Sequence, residues 1–234
     1  MSQFFYSDQI FNDTILLSED EANHALKVLR KHQGDCLIVV DGIGGYYRAV
    51  LDNENIKDCR LQILDKKENY NKPNQYIHIA IAPTKSHDRI EWFIEKSVEI
   101  GIQEISFIFS HYSERNNVKW NRIKKRAISS MKQSLKAYIP KINDVVSFQT
   151  FIENCKNKEK YIGYLGDNNR EALSSVATSG SDYCILIGPE GDFMPSEIDF
   201  ALQHEFKTIS LGESRLRTET AGIAACHILN IINE

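Results

Sequence analysis

Two glycine-rich loops near the end of the chain constrain its fold more than any other feature. The apolar run 184–187 stops at residues 188–193, which read Gly-Pro-Glu-Gly-Asp-Phe, and a polar helical stretch follows. A second short apolar run, 208–211, stops at residues 212–217, and a helix rich in small residues comes next. Because ligands bind outside the carboxyl ends of strands in open α/β sheets, the sequence predicts a ligand site at these two loops.

Strand and helix patterns alternate from residue 76 onward. Runs rich in β-branched residues predict strands at 76–82, 104–109, 160–165, 184–187 and 208–211. Helical spacing of apolar residues predicts helices at 88–101, 120–138 and 148–155. Alternation of this kind is typical of an α/β domain with a mostly parallel sheet covered by helices.

The first part of the chain follows a different pattern. Ser18 and Glu21 have the spacing of a capping box, and the helix that they begin is predicted to end at Gly34. Three β-like runs follow this helix, at 36–40, 46–51 and 59–64. Short strands with tight glycine turns predict a small β-barrel or sandwich.

A polar segment that contains a proline, 65–74, is predicted to link two domains. We expect a first domain over residues 1–70 and a second over residues 74–234. A chain of 234 residues is long enough for two small domains, and its hydrophobic fraction of 42% is enough for packed cores.

Composition limits the class of protein. The net charge of −4 argues against a generally basic nucleic-acid binder, although it is compatible with a local basic face. The five cysteines show no Cys-x-x-Cys spacing, and the seven histidines are dispersed, so we expect reduced thiols and no metal site. We also expect no signal peptide and no membrane segment, and therefore a cytoplasmic protein.

The first glycine loop is not a known phosphate loop. No Gly-Lys-Ser/Thr follows Gly188, and the Gly-x-Gly-x-x-Gly spacing is absent. The carboxylate of Glu190 would repel a pyrophosphate, whereas a ligand with a cationic centre and polar adenosine edges would fit. The simpler alternative is a tight turn that only joins a strand to a helix. A third glycine loop, at 165–167, favours a composite ligand site.

The second glycine loop leads into the string Arg-Leu-Arg-Thr-Glu-Thr-Ala. Thr218 and Thr220 are predicted to cap the helix that follows, and Glu219 in its first turn complements the helix dipole. The start of a helix attracts anions, and Arg217 would add a planar set of donors for a phosphate or a base edge. The alternative for an exposed pair of arginines is a solvated surface.

Basic residues also gather around the first predicted helix of the α/β domain. Arg89 and Lys96 share a helix face, and Lys85 follows the preceding strand. Together with the basic run 122–126 they predict a face that contacts phosphates, against the alternative of a solvated basic stripe. Two polar residues farther along are predicted to bond a base or to cap a loop: Gln133 and Ser134.

These motifs resemble the ribosomal RNA small subunit methyltransferase E family of the SPOUT superfamily. The Gly-Pro-Glu-Gly of 188–191 and the Leu-Arg-Thr-Glu-Thr-Ala of 216–221 carry the resemblance. Asp192 stands where a second glycine is common in that family. Other matching segments spread over almost the whole chain, at 24–30, 41–44, 85–89, 96–101 and 133–134.

The resemblance implies both a fold and a reaction. Members of the family have a C-terminal SPOUT domain with a trefoil knot and a mostly parallel sheet, preceded by a small PUA-like β-barrel domain that binds RNA. They use S-adenosyl-L-methionine to methylate N3 of a uridine (U1498) of 16S rRNA. The partners implied are 16S rRNA, expected in the assembled 30S subunit, and a second copy of the chain in a homodimer.

The resemblance also implies roles for individual residues. Arg217 is predicted to stabilise the developing anionic base, and Glu219 to handle a proton or to hold that arginine. The predicted cofactor-binding residues are Leu165, Gly166, Ile187, Gly188, Glu190, Gly191, Leu211, Gly212, Leu216 and Thr218. The predicted RNA-binding residues are Arg30, Lys85, Arg89, Lys96, Gln133 and Ser134.

Two other classes of function compete with this one. The first is a non-catalytic RNA-binding module that has kept the fold and lost the cofactor. The second is a nucleotide-binding α/β protein, against which the missing phosphate loop argues. Binding of S-adenosylmethionine but not ATP would separate all three classes.

Overall fold

A computed structural model describes residues 3–115, 117–166 and 170–234. The chain divides into two compact units, each of which contains two segments. Unit 1 consists of Met1–Lys72 and Ile128–Ile139, and unit 2 consists of Pro73–Ala127 and Pro140–Glu234. The segment Ile128–Ile139, which the sequence predicted as part of the α/β domain, therefore has its contacts in the β-rich unit. The predicted domain boundaries stay a prediction.

Unit 1 is built on one six-stranded sheet. Its strands are β1 (Phe4–Tyr6), β2 (Ile10–Phe11), β3 (Thr14–Leu17), β4 (Cys36–Val40), β5 (Tyr46–Leu51) and β6 (Cys59–Lys67). The order is β1-β4-β5-β6-β3-β2, in which β1 pairs with β4 in parallel and the remaining pairs are antiparallel. A short helix α1 (Glu19–Asn23) continues into a π-helical turn over His24–Val28.

In unit 1 the start of the helix was predicted correctly, whereas the residues at which the helical turn and strand β6 end were not. The Ser18 hydroxyl accepts a hydrogen bond from the Glu21 amide at 3.3 Å, as the capping pattern predicted. The chain leaves the helical turn at Arg30, whose φ of 54° is left-handed, and not at Gly34 as expected. Strand β6 extends into the predicted linker because the backbone of Asp65 pairs with that of Arg48 whatever the polarity of the side chains.

Backbone hydrogen bonds and an ion pair explain why the segment Ile128–Ile139 belongs to unit 1. The amide of Gly44, in the turn between β4 and β5, donates to the carbonyl of Ala137 at 2.9 Å. The amide of Ile139 donates to the carbonyl of Gly42 at 2.8 Å. Lys132 also forms an ion pair with the buried Glu21. None of these contacts can be read from hydrophobic periodicity.

Unit 2 contains a seven-stranded sheet in which every pair of neighbours is parallel. Its strands are β7 (Tyr76–Ile81), β8 (Glu104–Phe109), β9 (Lys141–Ser147), β10 (Glu159–Gly163), β11 (Glu171–Ala172), β12 (Asp182–Ile187) and β13 (Lys207–Ser210). The order is β11-β13-β10-β12-β7-β8-β9. The helices that lie wholly in this unit are α2 (His87–Ile100), α4 (Phe148–Asn154), α5 (Leu173–Val176), α6 (Pro195–Gln203) and α7 (Thr218–Ile232). Helix α3 (Trp120–Gln133) begins in this unit, and its residues from Ile128 onward belong to unit 1. The predicted α/β fold is confirmed.

One prediction in this part of the chain is wrong, and one strand was missed. Helix α3 ends at Gln133 and not at Tyr138, because Leu135 adopts a left-handed φ of 56° and Lys136 donates its amide back to the Met131 carbonyl at 3.0 Å. Strand β9 was not predicted, since its residues are half-buried at the sheet edge and show no continuous apolar run.

The sheet order determines where a ligand can bind. Strand β10 lies between β12 and β13, and its last residue, Gly163, is paired with Ile187 on one side and Ile209 on the other. The loops after these three strands therefore open at the same edge of the sheet. None of the helices formed by residues 3–115, 117–166 and 170–234 is long and apolar enough to cross a membrane.

Candidate active site

A cavity of about 320 Å³ lies at the carboxyl ends of β10, β12 and β13. This volume is in the range of small-molecule binding sites. Arg217 and eight of the ten predicted cofactor-binding residues line it: Leu165, Ile187, Gly188, Glu190, Leu211, Gly212, Leu216 and Thr218. Residues from all three glycine loops thus line the same cavity. In the third loop the structure describes Leu165 and Gly166, and Asp167 lies outside the described residues.

The other two predicted residues, Gly166 and Gly191, do not line the cavity. A Cβ atom on Gly191 would lie 2.9 Å from the Cβ of Tyr112, so this glycine makes room for the loop after β8. A Cβ atom on Gly166 would lie 2.3 Å from the hydroxyl of Tyr164. Both glycines are explained by a close approach of neighbouring side chains, which sequence spacing does not reveal.

Hydrogen bonds join the two main glycine loops. The hydroxyl of Thr218 donates to the carbonyl of Gly188 at 3.0 Å. The guanidinium of Arg215 approaches the carbonyl of Glu190 at 3.5 Å. The predicted capping role of Thr218 is therefore wrong: Arg217 is the N-cap of α7, no side chain caps it, and the threonine hydroxyl is used to hold the neighbouring loop.

The lining of the cavity carries charges of both signs. Arg170, Arg215 and Arg217 contribute cations, and Glu190 and Asp192 contribute carboxylates. Sequence reasoning missed Arg170, whose guanidinium donates to the Tyr164 carbonyl at 2.6 Å and so supports the wall that follows β10. The only signal for Arg170 was its place a few residues after the third glycine loop. The mixture suits a zwitterionic ligand better than a polyphosphate.

Glu219 is buried at the start of α7 and faces α2. It is 5% exposed, and its Oε1 lies 3.7 Å from Nε of Arg89. Its Oε2 is buried without a hydrogen-bond partner among the residues described. The sequence predicted that Glu219 would hold Arg217, but the arginine that it meets is Arg89, because α2 and α7 pack against each other.

Most of the predicted phosphate contacts in unit 2 are ion-paired within that unit. Lys85 contacts Glu114 at 2.5 Å, and this hydrogen bond raises the pKa of Lys85. Lys96 contacts Glu95 at 2.8 Å and Glu99 at 3.0 Å, and these two hydrogen bonds raise its pKa. In the basic run, two arginines pair with carboxylates of α2: Arg122 with Asp88 and Glu91, and Arg126 with Glu91 and Glu95. The basic stripe is thus largely neutralised.

The remaining predicted RNA contacts belong to unit 1. Arg30 is exposed in its left-handed position after the π-helical turn. Gln133 is the last residue of α3. The hydroxyl of Ser134 donates to the Ser130 carbonyl of α3 at 2.8 Å, and its predicted contact with a base or with the neighbouring loop stays a prediction.

A second polar cluster lies at the opposite, amino edge of the sheet in unit 2. Glu104 accepts hydrogen bonds from Tyr76 at 2.6 Å, Lys141 at 2.8 Å and Asn143 at 2.6 Å. Burial alone would raise the pKa of Glu104, but the nearby His78 and these hydrogen bonds outweigh it and lower the pKa to about 2. Burial lowers the pKa of His78, against the attraction of Glu104.

Comparisons with known proteins agree with this architecture. Residues 71–230 match the model of an RNA methyltransferase domain, and residues 17–64 match the model of an RNA methyltransferase PUA domain. A crystal structure of a probable rRNA-methyltransferase from Porphyromonas gingivalis is 42% identical, with a TM-score of 0.93, and the match covers 99% of this chain and 98% of that chain.

Two further relatives are more distant. A protein from Legionella pneumophila, described as a methyltransferase in complex with the bound cofactor SAM, is 25% identical with a TM-score of 0.87, over 100% of this chain and 98% of that chain. A ribosomal RNA small subunit methyltransferase E from Mesomycoplasma hyopneumoniae is 29% identical over 95% of this chain and 96% of its own length.

The matched domains, the relatives and the composite cavity point to one family, and the resemblance predicted from the glycine loops is confirmed. The chain belongs to the RNA methyltransferase family, as a member of the ribosomal RNA small subunit methyltransferase E group.

Proposed function

We propose that the protein is an S-adenosyl-L-methionine-dependent methyltransferase that acts on N3 of a uridine, U1498, of 16S rRNA in the small ribosomal subunit. The observation that carries the proposal is the cavity at the ends of β10, β12 and β13 in a chain of this family. The bound cofactor of the Legionella protein and the name of the Mesomycoplasma protein support the cofactor and the substrate.

The lining residues fit the chemistry of the cofactor. Ile187, Leu211 and Leu216 provide an apolar surface for an adenine ring. Glu190 provides a carboxylate for the cationic end of the ligand. When bound, S-adenosylmethionine supplies a methyl group on a positively charged sulfur, which makes that methyl group electrophilic.

Arg217 is the residue best suited to assist the RNA base. The N3 atom of uridine carries a proton at neutral pH, and negative charge develops on the base when that proton is lost. The guanidinium of Arg217 lines the cavity beside the N-terminus of a 15-residue helix, where positive potential is already present. In this proposal Arg217 orients the base and stabilises its developing charge.

Glu219 acts as a positioning residue in this proposal. Its buried carboxylate, close to Nε of Arg89, lies in the first turn of α7, the helix whose N-cap is Arg217. An unpaired buried carboxylate oxygen is costly, so the pairing with Arg89 is worth more here than at the surface. Loss of either partner would displace Arg217 without removing a group that touches the base.

The basic residues contact the RNA backbone in this proposal. Lys85 and Lys96 of unit 2 exchange their carboxylate partners for phosphates. Arg89 keeps its Nε beside Glu219 and offers its outer guanidinium nitrogens to a phosphate, and Arg30 of unit 1 contacts a phosphate independently. Gln133 and Ser134 bond a base or the sugar-phosphate backbone. Residues 1–70 serve as the RNA-binding domain and residues 74–234 as the methyltransferase domain. The target uridine is unpaired or flipped out, because N3 takes part in base pairing.

The working form of the enzyme is a homodimer with a trefoil knot, acting in the cytoplasm on the assembled 30S subunit. Support for the dimer comes from α7, which leaves apolar residues at or near its surface. Ile231 is 52% exposed, and Ile223 and Ile228 are partly exposed on the same helix. Support for the knot comes from the family to which the chain belongs.

Calorimetric titration with S-adenosylmethionine tests the proposal. Gly191→Trp would collide with Tyr112 rather than fill the cavity, so Ala221→Trp is the better blocking variant. The control is Leu202→Trp, at an exposed position of α6. We expect saturable binding by the wild type and the control, none by Ala221→Trp, and no binding of ATP.

Methyl transfer is then measured on 30S particles with a radiolabelled cofactor, and the modified nucleoside is identified by mass spectrometry. A 3-methyluridine at the single expected position supports the proposal. Failure of the wild type to bind the cofactor, with and without 30S particles, would leave the non-catalytic RNA-binding alternative.

A further inference from the structure

Asp192 adopts a backbone conformation that residues other than glycine rarely adopt. Its φ is 64°, in the left-handed region that favours glycine, and its amide donates to the carbonyl of Pro189 at 2.9 Å to close a turn. Asparagine and aspartate enter this region more readily than other non-glycine residues, because their short side chains bond locally. A compensating contact of the side chain is therefore expected.

The carboxylate of Asp192 makes two such contacts. Its Oδ1 accepts a hydrogen bond from the amide of Phe193 at 2.9 Å. Its Oδ2 accepts a hydrogen bond from the amide of Leu165 at 3.1 Å, across 27 positions of the chain. The first contact is local and stabilises the turn, whereas the second reaches the loop after a neighbouring strand.

The second contact joins the loop after β12, which is packed into the core at Phe193, to the more exposed loop after β10. Phe193 is 3% exposed and belongs to the hydrophobic core, where its ring lies 5.3 Å from that of Phe148. Leu165 is 47% exposed and forms a wall of the cofactor cavity. Asp192 therefore anchors that wall to the core through its carboxylate.

We infer that Asp192 is a positioning residue, which holds the wall at Leu165 against the loop after β12 and so preforms the cofactor cavity. The inference rests on the proposed function, because it takes the cavity to be the S-adenosylmethionine site. A preformed wall raises affinity because less ordering is needed when the ligand binds. The alternative is that the carboxylate attracts the cationic sulfur directly.

Two variants separate the side chain from the backbone. Asp192→Gly keeps the left-handed turn without strain and removes the carboxylate. Asp192→Asn tolerates the same turn, but it is uncharged and has one acceptor oxygen in place of two. The matched control is Asp199→Asn, at an exposed position of α6.

The decisive measurement compares two ligands by calorimetry. S-adenosylhomocysteine lacks the methyl group and the positive charge on sulfur but otherwise has the shape of the cofactor. If Asp192 positions the wall, each Asp192 variant weakens the binding of both ligands equally, by roughly tenfold, as for the loss of a hydrogen bond to a charged group. A loss confined to the charged ligand, or no loss at all, would overturn the inference.

Hydrogen exchange of the free protein supplies a readout independent of binding. The amide of Leu165 is expected to exchange about tenfold faster in both Asp192 variants, with unchanged exchange in strand β12 and in the Asp199→Asn control. Unchanged exchange at Leu165 contradicts the inference even if the wild type binds no cofactor. In that case the exchange result and the failed titration test Asp192 and the proposed function separately.

Steady-state kinetics on 30S particles complete the test. Since Asp192 does not touch the reacting atoms in this scheme, the variants should raise KM for the cofactor by about tenfold while kcat changes by less than about twofold. A fall in kcat with unchanged KM would contradict a positioning role at the cofactor wall.

Discussion

The polar residues at the two edges of the sheet in unit 2 differ in their hydrogen-bond partners. At the amino edge, Glu104 receives hydrogen bonds from three side chains, and Nε2 of His78 lies 2.8 Å from the hydroxyl of Ser106. At the carboxyl edge, Arg217 and Glu190 line a cavity between glycine loops. A cavity also lies at the amino edge, but the polar groups that line it bond one another.

This contrast separates two uses of polar side chains. Groups that satisfy one another stabilise the fold, whereas groups left facing a cavity are available to a ligand. Substitutions at the amino edge should therefore change the free energy of unfolding and leave cofactor binding intact. Substitutions at the carboxyl edge should change binding or turnover with little effect on stability.

The largest effect is expected from Glu104→Ala. The change leaves Tyr76, Lys141 and Asn143 without their acceptor beside a buried histidine, and it should lower the free energy of unfolding by about 4 kcal/mol. Urea denaturation measures the loss. The control is Glu205→Ala, whose side chain is 87% exposed and whose pair with Lys160 should contribute less than about 1 kcal/mol. Equal losses in the two variants would contradict the stabilising role of the bonded cluster around Glu104.

Arg217→Ala should have the next largest effect, on turnover rather than stability. Loss of the proposed stabilising cation should lower kcat by roughly a hundredfold, which corresponds to about 3 kcal/mol. Arg217→Lys should lose less, because it keeps the charge but not the planar set of donors. Methyl transfer to 30S particles is the measurement, and Arg60→Ala in unit 1 is the control. A normal kcat in Arg217→Ala would exclude the proposed role.

Lowering the pH should reduce the free energy of unfolding through two residues at the amino edge, His78 and Glu104. The folded protein lowers the pKa of His78 below 6.5 and that of Glu104 from 4.5 to about 2, so for both groups the unfolded chain binds protons more readily. The stability that they contribute is complete above pH 6.5, falls first with His78, and is lost further between pH 4.5 and 2 with Glu104.

We expect Glu104 alone to cost about 1 kcal/mol at pH 4 and His78 to add to that loss, measured by urea denaturation across the pH range. The variant His78→Asn should flatten the part of the curve near neutrality. A curve in the variant that is parallel to that of the wild type over this range would show that His78 is not the group that titrates.

The smallest effect is expected from Thr218→Val. The hydroxyl is replaced by a methyl group of similar size, and the carbonyl of Gly188 loses its donor, which should cost about 1 kcal/mol of cofactor affinity, or roughly fivefold in Kd. Calorimetry measures the change, and Thr220→Val in the same helical turn is the control. Equal Kd values for Thr218→Val and the wild type would mean that the contact between the loops does not shape the cavity.

Local sequence patterns predicted the elements that bury continuous apolar runs. The strands at 76–81, 104–109 and 182–187 and the helix at 87–100 were all predicted to within two residues, because their side chains follow the period of one regular structure. Strand β9, at 141–147, was missed because an edge strand buries only part of each side chain. Its pairing with β8 depends on backbone hydrogen bonds, which every sequence can form.

The cavity residues were likewise predicted from local patterns, whereas the contacts that depend on residues distant in sequence were not. Eight predicted cofactor residues line it because they follow strand ends that a parallel sheet brings to one edge. The close approach of Tyr112 to Gly191 could not be predicted, because the two residues are distant in sequence. Arg89 was predicted as a surface cation, but helix packing brings it close to the buried Glu219.

The sequence by itself determined the parallel α/β sheet and the edge at which the site lies, because these follow from residue order and hydrophobic period, and its two glycine-loop motifs identified the family by resemblance. Only the tertiary structure decided which charges are neutralised within the protein and which face the cavity. Lys96 and Arg217 are both basic residues near predicted functional segments, yet Lys96 pairs with Glu95 while Arg217 lines the cavity. That difference depends on distances between side chains, and electrostatic interactions fall off with distance in space rather than along the chain.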